Sequence, residues 1–161
     1  MVSNLEASEY FFNIVAAKKS EFKSDAPRNA YAFAYWDQGF EPIGGIIGSG
    51  GTIFWNPQGV AIPTQTGMVV NASMDLAHEM FHADDANFGL LNSEEFEGVD
   101  KDEWQAVYNE NTLRQELKLP LRTYYRVAVD SEGRRLGGIS PKMTRKRLPI
   151  KPSWYLQGNS K

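Results

Sequence analysis

The 161-residue chain contains two histidines, and they stand four apart in His78-Glu79-Met80-Phe81-His82. On a helix, positions i and i+4 share a face, so both imidazoles can reach one ion. Glu79 lies one residue from His78 and projects beside the pair, where its carboxylate can contact a water on the open side of the ion. This is the H-E-x-x-H arrangement of zinc hydrolases. Two histidines and a glutamate placed at random match it roughly once in a thousand arrangements. The spacing therefore commits this segment to a helix whose one face carries both imidazoles.

A hydrolytic zinc needs a third protein ligand and keeps one position for water. The chain has no cysteine and no third histidine, and the position six residues after His82 is Phe88, so the third ligand must be a carboxylate. Asp84 and Asp85 are too close in sequence to re-enter the same coordination sphere. Their expected roles are an orienting hydrogen bond to a histidine, or solvation. A second helix expected from about Lys101 to Leu117, stopped by Pro120, offers Glu103 and Glu110, seven apart on one face with the small Ala106 between them. Asp100-x-x-Glu103 also reads as a variant capping box, which would leave Glu110 as the ligand.

The rest of the chain divides by local signals. Residues 3–19 place Leu5, Phe11, Phe12, Val15 and Ala16 at near-helical spacing, which predicts an amphipathic helix. Tyr31–Trp36, Thr52–Trp55 and Val60–Ile62 are expected strands, with a turn at Asn56-Pro57-Gln58-Gly59. Gly44–Gly51 lacks the Lys-Ser or Lys-Thr of a phosphate loop and is expected to be a flexible connection or hairpin. Asn71 or Ser73 can cap the histidine helix, Asp75 suits its first turn, and Gly89 can stop it.

Composition excludes several classes. Without cysteine there is no disulfide scaffold, thiolate metal site or thiol nucleophile. No apolar run is long enough to span a membrane. No basic, apolar secretory signal opens the chain, so a cytoplasm is the default compartment unless a specialised export route is used. Residues 1–130 carry nine basic and nineteen acidic side chains, whereas 131–161 carry eight basic and one acidic. The expected organisation is a domain over 1–130 followed by a basic, proline-containing segment over 131–161, solvated or packed on the domain. The basic cluster Lys142–Lys151 has only Trp154 and Tyr155 beside it as stacking aromatics, so no nucleic-acid partner is expected.

Three stretches together carry a family resemblance: Thr52-Ile-Phe-Trp-Asn-Pro57, Leu76-Ala-His-Glu-Met-Phe-His-Ala83, and the Glu103-x-x-Ala106, Glu110-Asn111-x-x-Arg114 and Pro120-x-Arg122-x-x-Tyr125 run. Over roughly residues 50–126 the chain resembles the NleD-like effector metallopeptidases, and related domains of polymorphic and Rhs-type toxins. The resemblance implies an α+β zincin, with a small twisted sheet over the zinc helix and a glutamate on a second helix as third ligand. Glu103, the glutamate of Glu-x-x-Ala, is the better match. It also implies one Zn2+ per chain and cleavage of peptide bonds in another cell's proteins after specialised secretion.

The expected chemistry follows. Zinc lowers the pKa of a bound water, and Glu79 takes its proton as the oxygen attacks a carbonyl. Arg122 and Tyr125 are similar to the arginine and tyrosine that flank zinc in clostridial neurotoxin light chains, and are candidates for stabilising the oxyanion. Their structural alternatives are a salt bridge from Arg122 to the acidic loop and core packing for Tyr124 or Tyr125. Arg114 is expected to tie the two helices through a buried carboxylate. Thr52–Trp55 is the expected edge strand for an extended substrate, and the acidic surround would favour a basic one. The rival functions are a zinc amide hydrolase of a non-protein substrate and a zinc-stabilised binding module.

Overall fold

The computed structural model of the chain describes residues 2–16, 33–36, 48, 50–125, 127–129, 135–138 and 141–155. Short strands in small sheets alternate with helices, the α+β organisation expected. The described residues form two units, one from Met1–Val60 and Asn71–Leu91, the other from Ala61–Val70 and Asn92–Tyr155.

In the first unit, α1 (Val2–Glu6), β1 (Phe12–Ala16), β2 (Phe33–Trp36), β3 (Gly51–Trp55) and α2 (Ala72–Asn87) follow one another. The sheet order is β1-β3-β2, with β3 parallel to β1 and antiparallel to β2. The helix α2 packs against β2 and β3. The single amphipathic helix expected over 3–19 is therefore corrected to a short helix and a strand, residues 17–19 lying outside the described residues. The Ser8 hydroxyl explains the break. It accepts from the Tyr10 amide at 2.9 Å and donates to Asn87 Oδ1 at 2.6 Å, offering the backbone an alternative to continuing the helix. Beyond it, the β-branched Ile14 and Val15 favour a strand, and their pairing with Ile53 and Phe54 fixes the register.

The expected strand Tyr31–Trp36 is present over 33–36, and Tyr31 and Ala32 lie outside the described residues. Part of the glycine-rich stretch, residues 44–47 and 49, does so too. At Gly48 an added Cβ would stand 1.9 Å from the Asn87 carbonyl oxygen, and at Gly50 2.3 Å from that of Phe11. These two glycines let backbones approach where any side chain would clash. The turn after β3 closes as read, with the Gly59 amide bonded to the Asn56 carbonyl at 2.9 Å, Asn56 Oδ1 accepting from Gln58, and Gly59 at φ +71°.

In the second unit, β4 (Ala61–Thr64) and β5 (Gly67–Val70) make a hairpin. The opposite side of β4 is bonded to residues 121–123, through Gln65 N to Leu121 O at 3.0 Å and Thr123 N to Pro63 O at 2.9 Å. A second small hairpin, β6 (Glu95–Phe96) with β7 (Val99–Asp100), turns on Glu97 and Gly98, both at positive φ as a two-residue type I′ turn requires. The helix α3 (Lys101–Glu116) follows and ends on Lys118 at φ +56°, with the Leu119 amide returning to the Arg114 carbonyl at 2.8 Å. Two further hairpins are β8 (Val127–Val129) with β9 (Arg135–Gly138), and β10 (Thr144–Arg145) with β11 (Leu148–Pro149).

The core of this unit is Val99, Trp104, Val107 and Met143, packed against Tyr125, Ile150 and Trp154. Three of those residues belong to the basic C-terminal segment. No described helix is long and apolar enough to cross a membrane.

Candidate metal centre

The start of α2 is pinned from three directions. Asn71 Oδ1 accepts from the Met74 amide at 3.2 Å, so of the two candidate caps, Asn71 and Ser73, it is Asn71 that closes the helix. The Trp55 indole donates to the Ala72 carbonyl at 2.8 Å, and Asp75 accepts from the Val60 amide at 2.7 Å. The last two bonds fix the helix to the chain leaving β3. One turn further, His78, Glu79 and His82 are all buried, between 6% and 8% exposed. Their two rings stand edge to face with centroids 5.0 Å apart, the i,i+4 approach that the spacing predicts. Met80 and Phe81, between Glu79 and His82, are half-buried. Asp84 accepts from Asn4 Nδ2 at 3.1 Å, and burial pushes its carboxyl up, against the lowering effect of that hydrogen bond.

On α3, Glu103 is half-buried and Glu110 is 1% exposed. The capping box does not form: Asp100 is the N-cap without a side-chain bond, and the Glu103 amide is taken by Asp102 Oδ1 at 2.8 Å. Glu110 is engaged at both oxygens, accepting from Arg114 Nε at 2.7 Å and from Arg122 Nη1 at 3.0 Å. Arg114 thus meets a buried carboxylate as expected, but one on its own helix. Its other described bond, from Nη1 to the Pro120 carbonyl at 3.2 Å, ties α3 to the segment that follows. Arg122 pairs with this buried glutamate at the far end of α3, and its Nη2 donates to the Tyr125 carbonyl at 2.9 Å. Burial works against the Arg122 charge, but Glu110, then Tyr125 and Glu103, outweigh it and hold the guanidinium above its ordinary range. The Tyr125 ring lies 5.2 Å from the Arg122 guanidinium carbon and packs on the core.

Among the described residues, His78, His82 and Glu103 are the group that could hold a metal ion, each offering one ligand atom, with those atoms within 4.8 Å of one another. Two imidazoles and a carboxylate are the donor set of a three-ligand zinc site, so the residues present fit that ion. Asn111 carried no expected role. Fully buried on α3, it bonds both backbone groups of Arg122. A polar residue within a helix gives no signal of that by spacing alone.

A family model for the M91 peptidases, described as an effector protein, matches residues 12–125. The chain belongs to this family. The match extends the likeness carried by residues 50–126 back to β1, and it contains the histidine helix, α3, Arg122 and Tyr125. Membership in M91 makes the chain a peptidase of an effector family, with protein as its substrate. No match was found among curated proteins or among solved structures.

Proposed function

We propose that this M91 chain is a zinc-dependent endopeptidase of zincin type, with His78, His82 and Glu103 as metal ligands and Glu79 as general base. The observation that carries this reading is the grouping of those two imidazoles and that carboxylate, with Glu79 buried beside His78 on the same helix. The double pairing of Glu110 with Arg114 and Arg122 supports Glu103 rather than Glu110 as the third ligand. Zinc held there would polarise a substrate carbonyl and bring the pKa of a water down to about 7.

Glu79 accepts the proton of the attacking water and later delivers it to the departing amine nitrogen. The tetrahedral oxyanion needs donors, and Arg122 and Tyr125 are assigned that role. Two of the five guanidinium N–H groups of Arg122 are used by Glu110 and the Tyr125 carbonyl. Its Nε–H is buried with no hydrogen-bond partner among the described residues. Glu110 holds the positive charge in place, and the Tyr125 hydroxyl is the second donor.

The expected substrate strand is corrected. β3 is central, flanked by β1 and β2, and cannot accept another strand. The family's description as an effector supports delivery by a bacterial secretion system into a target cell.

Replacing Glu79 by Gln tests the reading. The variant is expected to keep about one zinc per chain, the occupancy of a three-ligand site, and to lose turnover by about 100-fold or more, since general-base catalysis is worth that much. Activity that survives in the variant would refute the mechanism.

A further inference from the structure

Residues 121–123 run beside β4, and their backbone groups alternate in direction as in a strand. Leu121 and Thr123 bond to β4, through Gln65 N to Leu121 O and Thr123 N to Pro63 O. Arg122, between them, turns its own N–H and C=O toward α3, where a helix side chain receives them in place of a strand. The Asn111 side chain takes both: its Oδ1 accepts from Arg122 N at 2.7 Å, and its Nδ2 donates to Arg122 O at 3.0 Å. Asn111 is 0% exposed, so both ends of its amide are spent away from water on one residue. Its neighbour Glu110 holds the other end of the same residue, the guanidinium, at 3.0 Å. Adjacent positions on one helix therefore grip Arg122 at its backbone and at its charge.

We propose that Asn111 is a positioning residue that sets where the Arg122 guanidinium stands. This rests on the role given to Arg122 in the proposed peptidase. A primary amide is suited to the task because it supplies a donor and an acceptor together. Aspartate keeps only the acceptor, and leucine keeps the volume but neither bond. Releasing the Arg122 backbone frees the side chain to shift, and a misplacement of about 1 Å in a catalytic group can cost about 100-fold in rate.

The test uses the full chain and its Asn111→Leu and Asn111→Asp variants, each alone and with Arg122→Ala, read in two ways. In turnover, Asn111→Leu is expected to lower kcat by about 10- to 100-fold while KM moves less than about threefold. Asn111→Asp should fall between Asn111→Leu and wild type. In the Arg122→Ala background, adding Asn111→Leu should cost less than about a further twofold, because a positioning residue has nothing left to position. By NMR, the Nε–H resonance of Arg122, whose guanidinium carbon lies 5.2 Å from the Tyr125 ring centre, should move or broaden in Asn111→Leu while that of Arg114 stays in place, with or without added zinc.

An unmoved Arg122 resonance overturns the proposal, whatever the activity. So does an unchanged kcat, or an equal loss in both backgrounds, which would mark Asn111 as structural only. If wild type and Glu79→Gln turn over alike, the peptidase reading itself fails, and the resonance still decides whether Asn111 sets the guanidinium.

Discussion

Glu110 faces two arginines in a place from which water is nearly excluded, and this makes its removal the sharpest test of how α3 is held. Its side chain is 2% exposed, that of Arg114 1% and that of Arg122 11%. It accepts two charge-assisted hydrogen bonds, at 2.7 and 3.0 Å, each worth about 1.5–3 kcal/mol. Taking away one partner of a buried ion pair costs about 3–5 kcal/mol, because the charge left behind is uncompensated. Glu110→Ala strands two cations at once, so about 3–5 kcal/mol is expected, against a typical total stability of about 5–15 kcal/mol. For a chain of this size the midpoint of thermal unfolding should fall by about 6–20 °C.

Arg114→Met should cost less, because Glu110 keeps Arg122. The guanidinium of Arg122 is held above its ordinary range, so this contribution is fully present below the usual arginine pKa and is lost only as pH rises through the higher folded value. The loss on substitution should therefore be the same at pH 6 and pH 9. Urea titration of the three proteins measures it. A loss under about 1 kcal/mol for Glu110→Ala, or a larger one for Arg114→Met, would refute the reasoning that this carboxylate is the hub of a buried network.

Three other outcomes are expected. Asn71→Ala removes the cap of α2 and should cost about 1 kcal/mol by urea unfolding, with zinc content unchanged. Stripping the metal with a chelator should lower the unfolding temperature and restoring zinc should recover it, by about 2.7 kcal/mol at a free zinc level 100 times Kd; a chelator without effect would argue against a bound ion. The Lys101 ammonium holds the exposed Glu94 carboxyl below its ordinary value. Its stabilisation should be present above the usual carboxylate pKa and vanish as pH falls through the lower folded one, so wild type and Glu94→Gln should converge in acid unfolding.

The parts of the fold legible in the sequence were those whose signals are local. The Asn71 cap, Asp75 in the first turn and Gly89 beyond the end mark α2 almost to the residue, and Pro120 marks the end of α3. The histidine pair was equally legible, because i,i+4 spacing turns directly into a shared helix face. Residues 3–19 misled because apolar spacing alone does not separate a helix from a helix followed by a strand. The deciding contacts, Ser8 with Asn87 and β1 with β3, lie 79 and about 40 residues apart. The place of β3 in the middle of its sheet was hidden for the same reason, since β1 and β2 reach it from distant sequence. β5 was not foreseen: Gly67–Val70 is too short to announce a strand without its partner β4.

At the site, Glu103 and Glu110 could be listed by spacing but separated only by their partners. The arginine that occupies Glu110 from beyond the helix is twelve residues away, and no local pattern reports that distance. Asn111 was the least legible, because a buried amide that clamps another segment looks, in sequence, like any polar residue on a helix.

The most direct measurement is terminal labelling of a eukaryotic and a bacterial lysate, each treated with zinc-loaded wild type and with Glu79→Ala. The account predicts new protein N-termini with wild type alone, converging on one target sequence. New termini that appear equally with Glu79→Ala, or none in either lysate from a chain carrying its zinc, would contradict a peptidase acting through Glu79.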